Sequence, residues 1–250
     1  MKFLPDFSVA DWLLAVIAAL CVGISKAGFN AFVIITVVIM ACIMPAKEST
    51  GAVVPMLLAG DLMACAIYRR DASWKEVWGL LPMTLLGLIA GWILMRYIPG
   101  WIFGKVLGWM VLLLMLVVLW QKIDARLLVA IMNHPVIVNA SGFLAGISTM
   151  MANAAGPVMT FYLLAKKFDK MTFVATCAWF FFVTNLAKLP LSLNLGLITA
   201  KSLLMNLTLL PAVIIGMIGG RLLLGKIPQI LFDWILIVIS IAASIRMIVS

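Results

Sequence analysis

The sequence predicts an all-α polytopic membrane protein with about eight hydrophobic helical segments in two four-segment repeats. Three observations carry this. Of the 250 residues, 66% are apolar and only 11% are charged, whereas a soluble domain usually carries about 25% charged residues. The apolar residues fall into runs near the ~20 residues that one crossing of the hydrocarbon core takes, and these lack the short alternating pattern of a membrane barrel. The chain also repeats itself: Leu-Leu-Pro-x4-Gly-x3-Gly-x6-Ile-Pro-x3-Phe starts once at Leu80 and again at Leu209. A repeat of that length with aligned Gly and Pro positions is an architectural signal.

Taken in order, the first apolar segment covers residues 12–45 and is interrupted at Ser25-Lys26-Ala27-Gly28-Phe29-Asn30. Lys2 ahead of an apolar run has the outline of a secretion signal. Pro5, Asp6 and Asp11 intervene and no clear small-x-small cleavage site follows, so the run reads as retained membrane segment. The second segment is 50–68, and a polar loop from Arg69 and Arg70 to Glu76 separates it from the third, 77–98. The fourth is 103–120, followed by a charged linker over 121–134. The fifth, 135–165, is interrupted over 148–157, and Lys166, Lys167, Asp169 and Lys170 lie in the loop after it. The sixth is 171–192, the seventh 203–224 and the eighth 230–249. The whole chain, 1–250, is thus one membrane domain, with repeat 1 over 12–120 and repeat 2 over 135–249.

At a second offset Ile24-Ser25 aligns with Ile147-Ser148, and Lys47 with Lys170. Each repeat therefore opens with a long, interrupted segment. The pairs Gly87/Gly91 and Gly216/Gly220 are small-x3-small faces that let helices approach closely. Leaving aside Lys26 inside the first segment, Lys and Arg divide nine to eight between the two sides if all eight segments cross, and ten to seven if the first and fifth dip in and return. The second arrangement fits the positive-inside rule better. It makes the repeats inverted, with broken or re-entrant first segments, as in many transporters.

The formal net charge of +9 fits basic loops of a membrane protein. No basic stripe or basic helix suggests nucleic acid. Cys21, Cys42, Cys65 and Cys177 lie in apolar runs without CxxC spacing, and His134 is the one histidine, so neither metal nor disulfide chemistry is expected. No catalytic set and no nucleotide motif is present; the expectation is no enzyme and no cofactor.

The chemistry concentrates at the two breaks. Irregular backbone at membrane depth is tolerated only against protein or a wet cavity, and a broken helix offers half-helix N-termini that attract anions. Matching interrupted segments in two halves are a pointer to a transport site. The candidate substrate-binding residues are Ser25, Lys26, Gly28 and Asn30 in the first break. In the second they are Ser148, Thr149, Asn153, Ala154 and Gly156, joined by Asn185 of the sixth segment. An ammonium in mid-segment is costly unless paired or functional, which makes Lys26 an anion anchor or a residue that snorkels to an interface. Asp61 is the one acid inside its segment; it pairs with Lys26, takes up a coupling proton, or makes a purely structural hydrogen bond. Lys188 lies near the end of the sixth segment beside Pro190.

At these breaks the sequence resembles the TauE/SafE sulfite exporter family, also called the toluene-sulfonate uptake permease family. The residues that carry the likeness are Gly23-Ile24-Ser25-Lys26-Ala27-Gly28-Phe29-Asn30 and Pro45-Ala46-Lys47-Glu48-Ser49-Thr50-Gly51. Tyr68-Arg69-Arg70, Trp74 and the Leu-Pro of the third segment continue it, with Met151-Ala152-Asn153-Ala154-Ala155-Gly156-Pro157 in the second half. The resemblance covers about 12–249 and implies a two-repeat carrier of the bacterial inner membrane for sulfur-containing anions such as sulfite, thiosulfate or sulfonates. Many members carry a Gly-rich triplet where Lys26-Ala27-Gly28 stands here. The expected function is secondary transport of a small anion at the two breaks, with an anion channel or a non-transporting membrane assembly factor as the alternative. The expected partners are the anionic substrate and the lipid bilayer, not nucleic acid, with a homo-oligomer left open.

Overall fold

The structure is a computed structural model that describes residues 5–30, 32–68, 71–123, 134–166, 168–223, 237–238, 241–242 and 244–249. The expectations for Lys2, Arg69, Arg70, Arg126, Lys167 and Lys226, for the second Ile-Pro-x3-Phe, and for most of the linker and the eighth segment lie outside the described residues.

The described residues form helices and no strands: α1 Val9–Lys26, α2 Phe32–Ile43, α3 Ala46–Ala52, α4 Val54–Tyr68, α5 Trp74–Tyr97, α6 Gly100–Ile123, α7 Pro135–Ala152, α8 Gly156–Ala165, α9 Lys170–Asn194 and α10 Ala200–Leu223. Among them seven stretches are long and apolar enough to cross a membrane, with α3 and α4 counted together as Ala46–Tyr68, and α2 is a shorter apolar helix. The chain is a polytopic helical membrane protein.

Its surface is inside-out relative to a soluble protein. Leu13, Leu86, Leu113, Ile215 and Leu222 point outward, while Ser25, Thr36, Asp61, Thr84, Asn185 and Lys188 are buried. Lipid is as apolar as the outward residues, so the polar groups gather where other helices can satisfy them. Trp74 and Tyr97 stand exposed at the two ends of α5, and Trp101 and Trp120 near the two ends of α6. These are the positions where amphipathic rings meet the headgroups. The 24 residues of α5 span about 36 Å at 1.5 Å per residue, enough for the hydrocarbon core and both aromatic belts.

Asp11, just ahead of the first apolar run, closes a capping box with Ser8. Its backbone N–H donates to Ser8 Oγ at 3.2 Å and its carboxylate accepts from the Ser8 N–H at 2.9 Å, two orphan donors satisfied at once.

The first long segment is two helices, not one. Thr36 Oγ1 of α2 donates to the Ala18 carbonyl of α1 at 3.0 Å, and Met40 shares a buried cluster with Ala15, Ala18 and Ala19. Helix α2 thus lies back along α1, and the two form a hairpin whose tip is residues 27–30. Helix α8 returns in the same way: Leu163 and Met159 pack in one cluster with Val138 from the start of α7. The tip of this second hairpin is residues 153–155.

Two glycine contacts set the bundle. On α5 and α7, a Cβ added at Gly87 would fall on the Phe143 carbonyl, one at Gly146 on the Thr84 carbonyl, and one at Gly91 within 2.8 Å of Met150 Cβ. On α1 and α10, a Cβ at Gly23 would fall on the Val213 carbonyl, one at Gly216 on the Leu20 carbonyl, and one at Gly220 within 2.9 Å of Ala27 Cβ. In both pairs the residue numbers rise together, so α5 runs parallel to α7 and α1 parallel to α10. Helices α4 and α9 run opposite ways, because Tyr68 and Ala64 share a cluster with Val174 and Ala178 while Asp61 meets Asn185 further along. Cys42 is on the exposed side of α2, whereas Cys21, Cys65 and Cys177 are buried.

Candidate functional site

The two hairpin tips meet. Asn30 of the first tip donates through Nδ2 to Thr160 Oγ1 of α8 at 3.4 Å and to Cys177 Sγ of α9 at 3.3 Å. A Cβ added at Gly156 would lie 2.9 Å from the Asn30 carbonyl, so only glycine lets α8 begin this close to the other tip. Between the tips is a small cavity lined by Ser25, Lys26, Asn30, Val33, Leu57, Thr149, Asn153, Gly156, Phe181 and Asn185. The two breaks, 123 residues apart in sequence, therefore face one space.

The tips themselves differ from the sequence reading in where the helix stops. Ser25 and Lys26 are still in α1, and Ser148 to Ala152 are still in α7. Polar side chains did not break the helix because they bond back into it: Ser25 Oγ donates to the Val22 carbonyl at 2.6 Å and Ser148 Oγ to the Ala145 carbonyl at 3.1 Å. The stops come just after. Gly28 has φ 119, a region that L side chains avoid. Asn153 has φ 52 and ψ 27 and caps α7 in the left-handed conformation, which Asn tolerates better than most residues.

Lys26 is paired. Its Nζ is 2.7 Å from Asp61 Oδ1 and 5.1 Å from the centroid of the Phe181 ring. Gly60 makes room for it: an added Cβ there would be 3.0 Å from Lys26 Cγ. The other Asp61 oxygen accepts from Asn185 Nδ2 at 2.6 Å. Asp61 does not line the cavity; it is held behind Lys26 and Asn185, which do.

A second lysine enters from α9. Lys188 Nζ donates to the Thr149 carbonyl and to Asn153 Oδ1, each at 2.6 Å. Asn153 in turn donates through Nδ2 to the Thr50 carbonyl of α3 at 2.9 Å. Asn30 and Asn153 occupy equivalent places, four residues after Lys26 and Thr149 respectively.

Seven of the residues expected from sequence thus line one cavity: Ser25, Lys26, Asn30, Thr149, Asn153, Gly156 and Asn185. Gly28 and Ala154 lie in the tips without lining it, and Ser148 is bonded into its own helix. Sequence reading did not place Lys188, Thr50, Val33, Leu57 or Phe181 here. Lys188 carried a usable signal: it is a cation inside an apolar helix, three residues after Asn185 and so on the same face.

Buried ammonium, amide and hydroxyl groups thus surround one small cavity inside a bundle of apolar helices. The chain matches the family model described as "Sulfite exporter TauE/SafE" over residues 14–247. It belongs to that family, whose members are membrane transporters. No curated protein and no solved structure matches it.

Proposed function

We propose that this protein is a secondary transporter of a small anion, a sulfur oxyanion or organosulfonate, in the bacterial inner membrane. The anion binds between the two hairpin tips near the membrane midplane. The observation that carries this is the convergence of Ser25, Lys26, Asn30, Thr149, Asn153 and Asn185 on one cavity. Three of these side chains are amides and two are hydroxyls. The acid nearest to them, Asp61, is already paired with Lys26. Such a lining favours a negative guest in a low dielectric.

In this reading α1–α2 and α7–α8 are re-entrant hairpins that enter from opposite sides. The parallel courses of α1 with α10 and of α5 with α7, and the antiparallel course of α4 with α9, support inverted repeats over 12–120 and 135–249. The cavity has room for about one water molecule. The tips must part to admit an anion, and rocking of one repeat against the other does this alternately from each side.

Uptake of sulfite, thiosulfate, sulfate, taurine and acetate into proteoliposomes tests the reading. Sulfur anions should be carried and acetate should not. Gly28→Leu and Asn153→Leu should abolish uptake in protein that still inserts. Normal uptake by either variant removes the tips from the site, and no uptake of any sulfur anion by the unaltered protein ends the proposal.

A further inference from the structure

The charges buried around the cavity do not balance. Among the described residues they are Lys26, Asp61 and Lys188. Lys26 and Asp61 cancel at 2.7 Å. Lys188 is fully buried and has no carboxylate within ion-pair distance among the described residues; its two acceptors are the neutral Thr149 carbonyl and Asn153 Oδ1. A buried ammonium needs compensation, and neutral oxygens supply it only in part. An ammonium also has three donors, and two are used.

Asn153 stands between Lys188 and the cavity, since it bonds the one and lines the other. It also holds the Thr50 carbonyl. One amide therefore ties the second hairpin tip to α9 and to α3.

Building on the anion-transport reading of the same cavity, we propose that Lys188, rather than Lys26, is the cation that receives the anion, and that Asn153 is the latch the anion displaces. An anionic oxygen meets the ammonium with a full opposite charge where the amide oxygen offers only a dipole, a difference enlarged by the low dielectric, so an anion in the cavity outcompetes Asn153 Oδ1 for Nζ. Losing Lys188 loosens the second tip's hold on α9, where the bond from Lys188 to the Thr149 carbonyl remains. Occupancy of the site is thereby linked to movement of the hairpin, which is what alternating access requires. Lys26 is already neutralised and holds α1 to α4 instead.

The test uses the full-length protein in detergent with sulfite as the probe. Binding and thermal unfolding are measured for the unaltered protein and for Lys188→Met, Lys188→Gln and Lys188→Arg. Gln keeps a donor for Asn153 without the charge, Arg keeps the charge, and Met keeps the bulk alone. Removing an unbalanced buried charge should leave Lys188→Met folded and at least as heat-stable as the unaltered protein without sulfite. Its affinity, and that of Lys188→Gln, should fall roughly 10- to 150-fold, and sulfite should no longer raise its unfolding temperature. Lys188→Arg should bind at least tenfold better than Lys188→Gln. Equal affinity of the Gln and Arg variants overturns the proposal, because a merely structural donor would serve as well in either form. So does loss of the fold in both uncharged variants, which would make Lys188 a structural tie. If the unaltered protein binds none of sulfite, thiosulfate or methanesulfonate, the transport reading itself fails and the role of Lys188 falls with it.

Discussion

Lys26 Nζ and Asp61 Oδ1 are 2.7 Å apart, with side chains 5% and 0% exposed, and Asn185 holds the second carboxylate oxygen. One acid thus joins α1, α4 and α9 in the middle of the bundle. Removing one partner of a buried pair leaves the other charge uncompensated, which costs about 3–5 kcal/mol, whereas removing both is often neutral. Asp61→Asn should therefore lower the unfolding temperature sharply, and so should Lys26→Met. The double variant should recover most of the loss. Thermal unfolding of the three proteins in one detergent decides it; single variants as stable as the parent would mean that the pair contributes nothing to the fold.

The glycine crossings make a second prediction. A methyl group at Gly146 or Gly87 meets backbone on the facing helix, whereas a Cβ at Gly219 of α10 meets nothing within 4 Å. Backbone cannot turn aside as a side chain can. Overpacking of this kind costs about 1–3 kcal/mol or more, while Gly→Ala in an open helix position gains about 0.5–1 kcal/mol. Gly146→Ala and Gly87→Ala should be destabilised, and Gly219→Ala should be neutral or slightly stabilised. Equal unfolding temperatures for all three would remove close α5–α7 contact as the reason for these glycines.

Asp169 caps α9 outside the apolar stretch. Its Oδ1 accepts from the Met171 and Thr172 N–H groups at 2.9 and 3.1 Å, and its Oδ2 from Thr172 Oγ1 at 2.6 Å. These bonds, led by the Thr172 hydroxyl, hold its carboxyl below the usual carboxylate range. A depressed folded-state value stabilises above the unfolded value, near 3.9, and that contribution is lost as pH falls through the folded one. Asp169→Asn keeps a capping oxygen but cannot titrate. Between pH 6 and about 3 the difference in unfolding temperature between parent and variant should shrink. A difference that stays constant over that range would show that the carboxylate charge adds nothing to the cap.

Much of this was legible in the sequence because it rests on short-range rules. Lys26, Asn30 and Asn153 stood out as polar residues in apolar runs, and Gly87 and Gly216 as repeated small positions; all lie where helices cross or hairpins turn. The pairing of Lys26 with Asp61 was one of three open readings, and only the packing of α4 against α1 brings the two together. The helix stops were misplaced by a few residues, because Ser25 and Ser148 satisfy their hydroxyls inside the helix and need no break. Lys188 was passed over for a different reason. Its importance comes from Thr149 and Asn153, more than thirty residues away, and from a balance of charge that no local pattern contains.

The helix directions lead to a final prediction about sidedness. Helix α2 lies back along α1, so α3 starts at the end of the bundle where α1 started. Lys47 is there, donating through Nζ to the Ile98 carbonyl at the turn between α5 and α6 at 2.9 Å. Helix α8 lies back along α7, so α9 starts at the opposite end; Tyr162 and Lys166 of that end meet Glu76 near the start of α5. Lys47 and Lys170 are repeat mates in sequence, and inverted repeats place them on opposite sides of the membrane. Single cysteines at the two positions, in a background where the exposed Cys42 and the three buried cysteines are replaced, should react with an impermeant reagent from opposite sides of oriented vesicles. Swapping the side of addition should swap the labelled position. If both positions label from the same side, the hairpins do not return to the face they entered, and the inverted arrangement has to be abandoned together with rocking around a shared cavity.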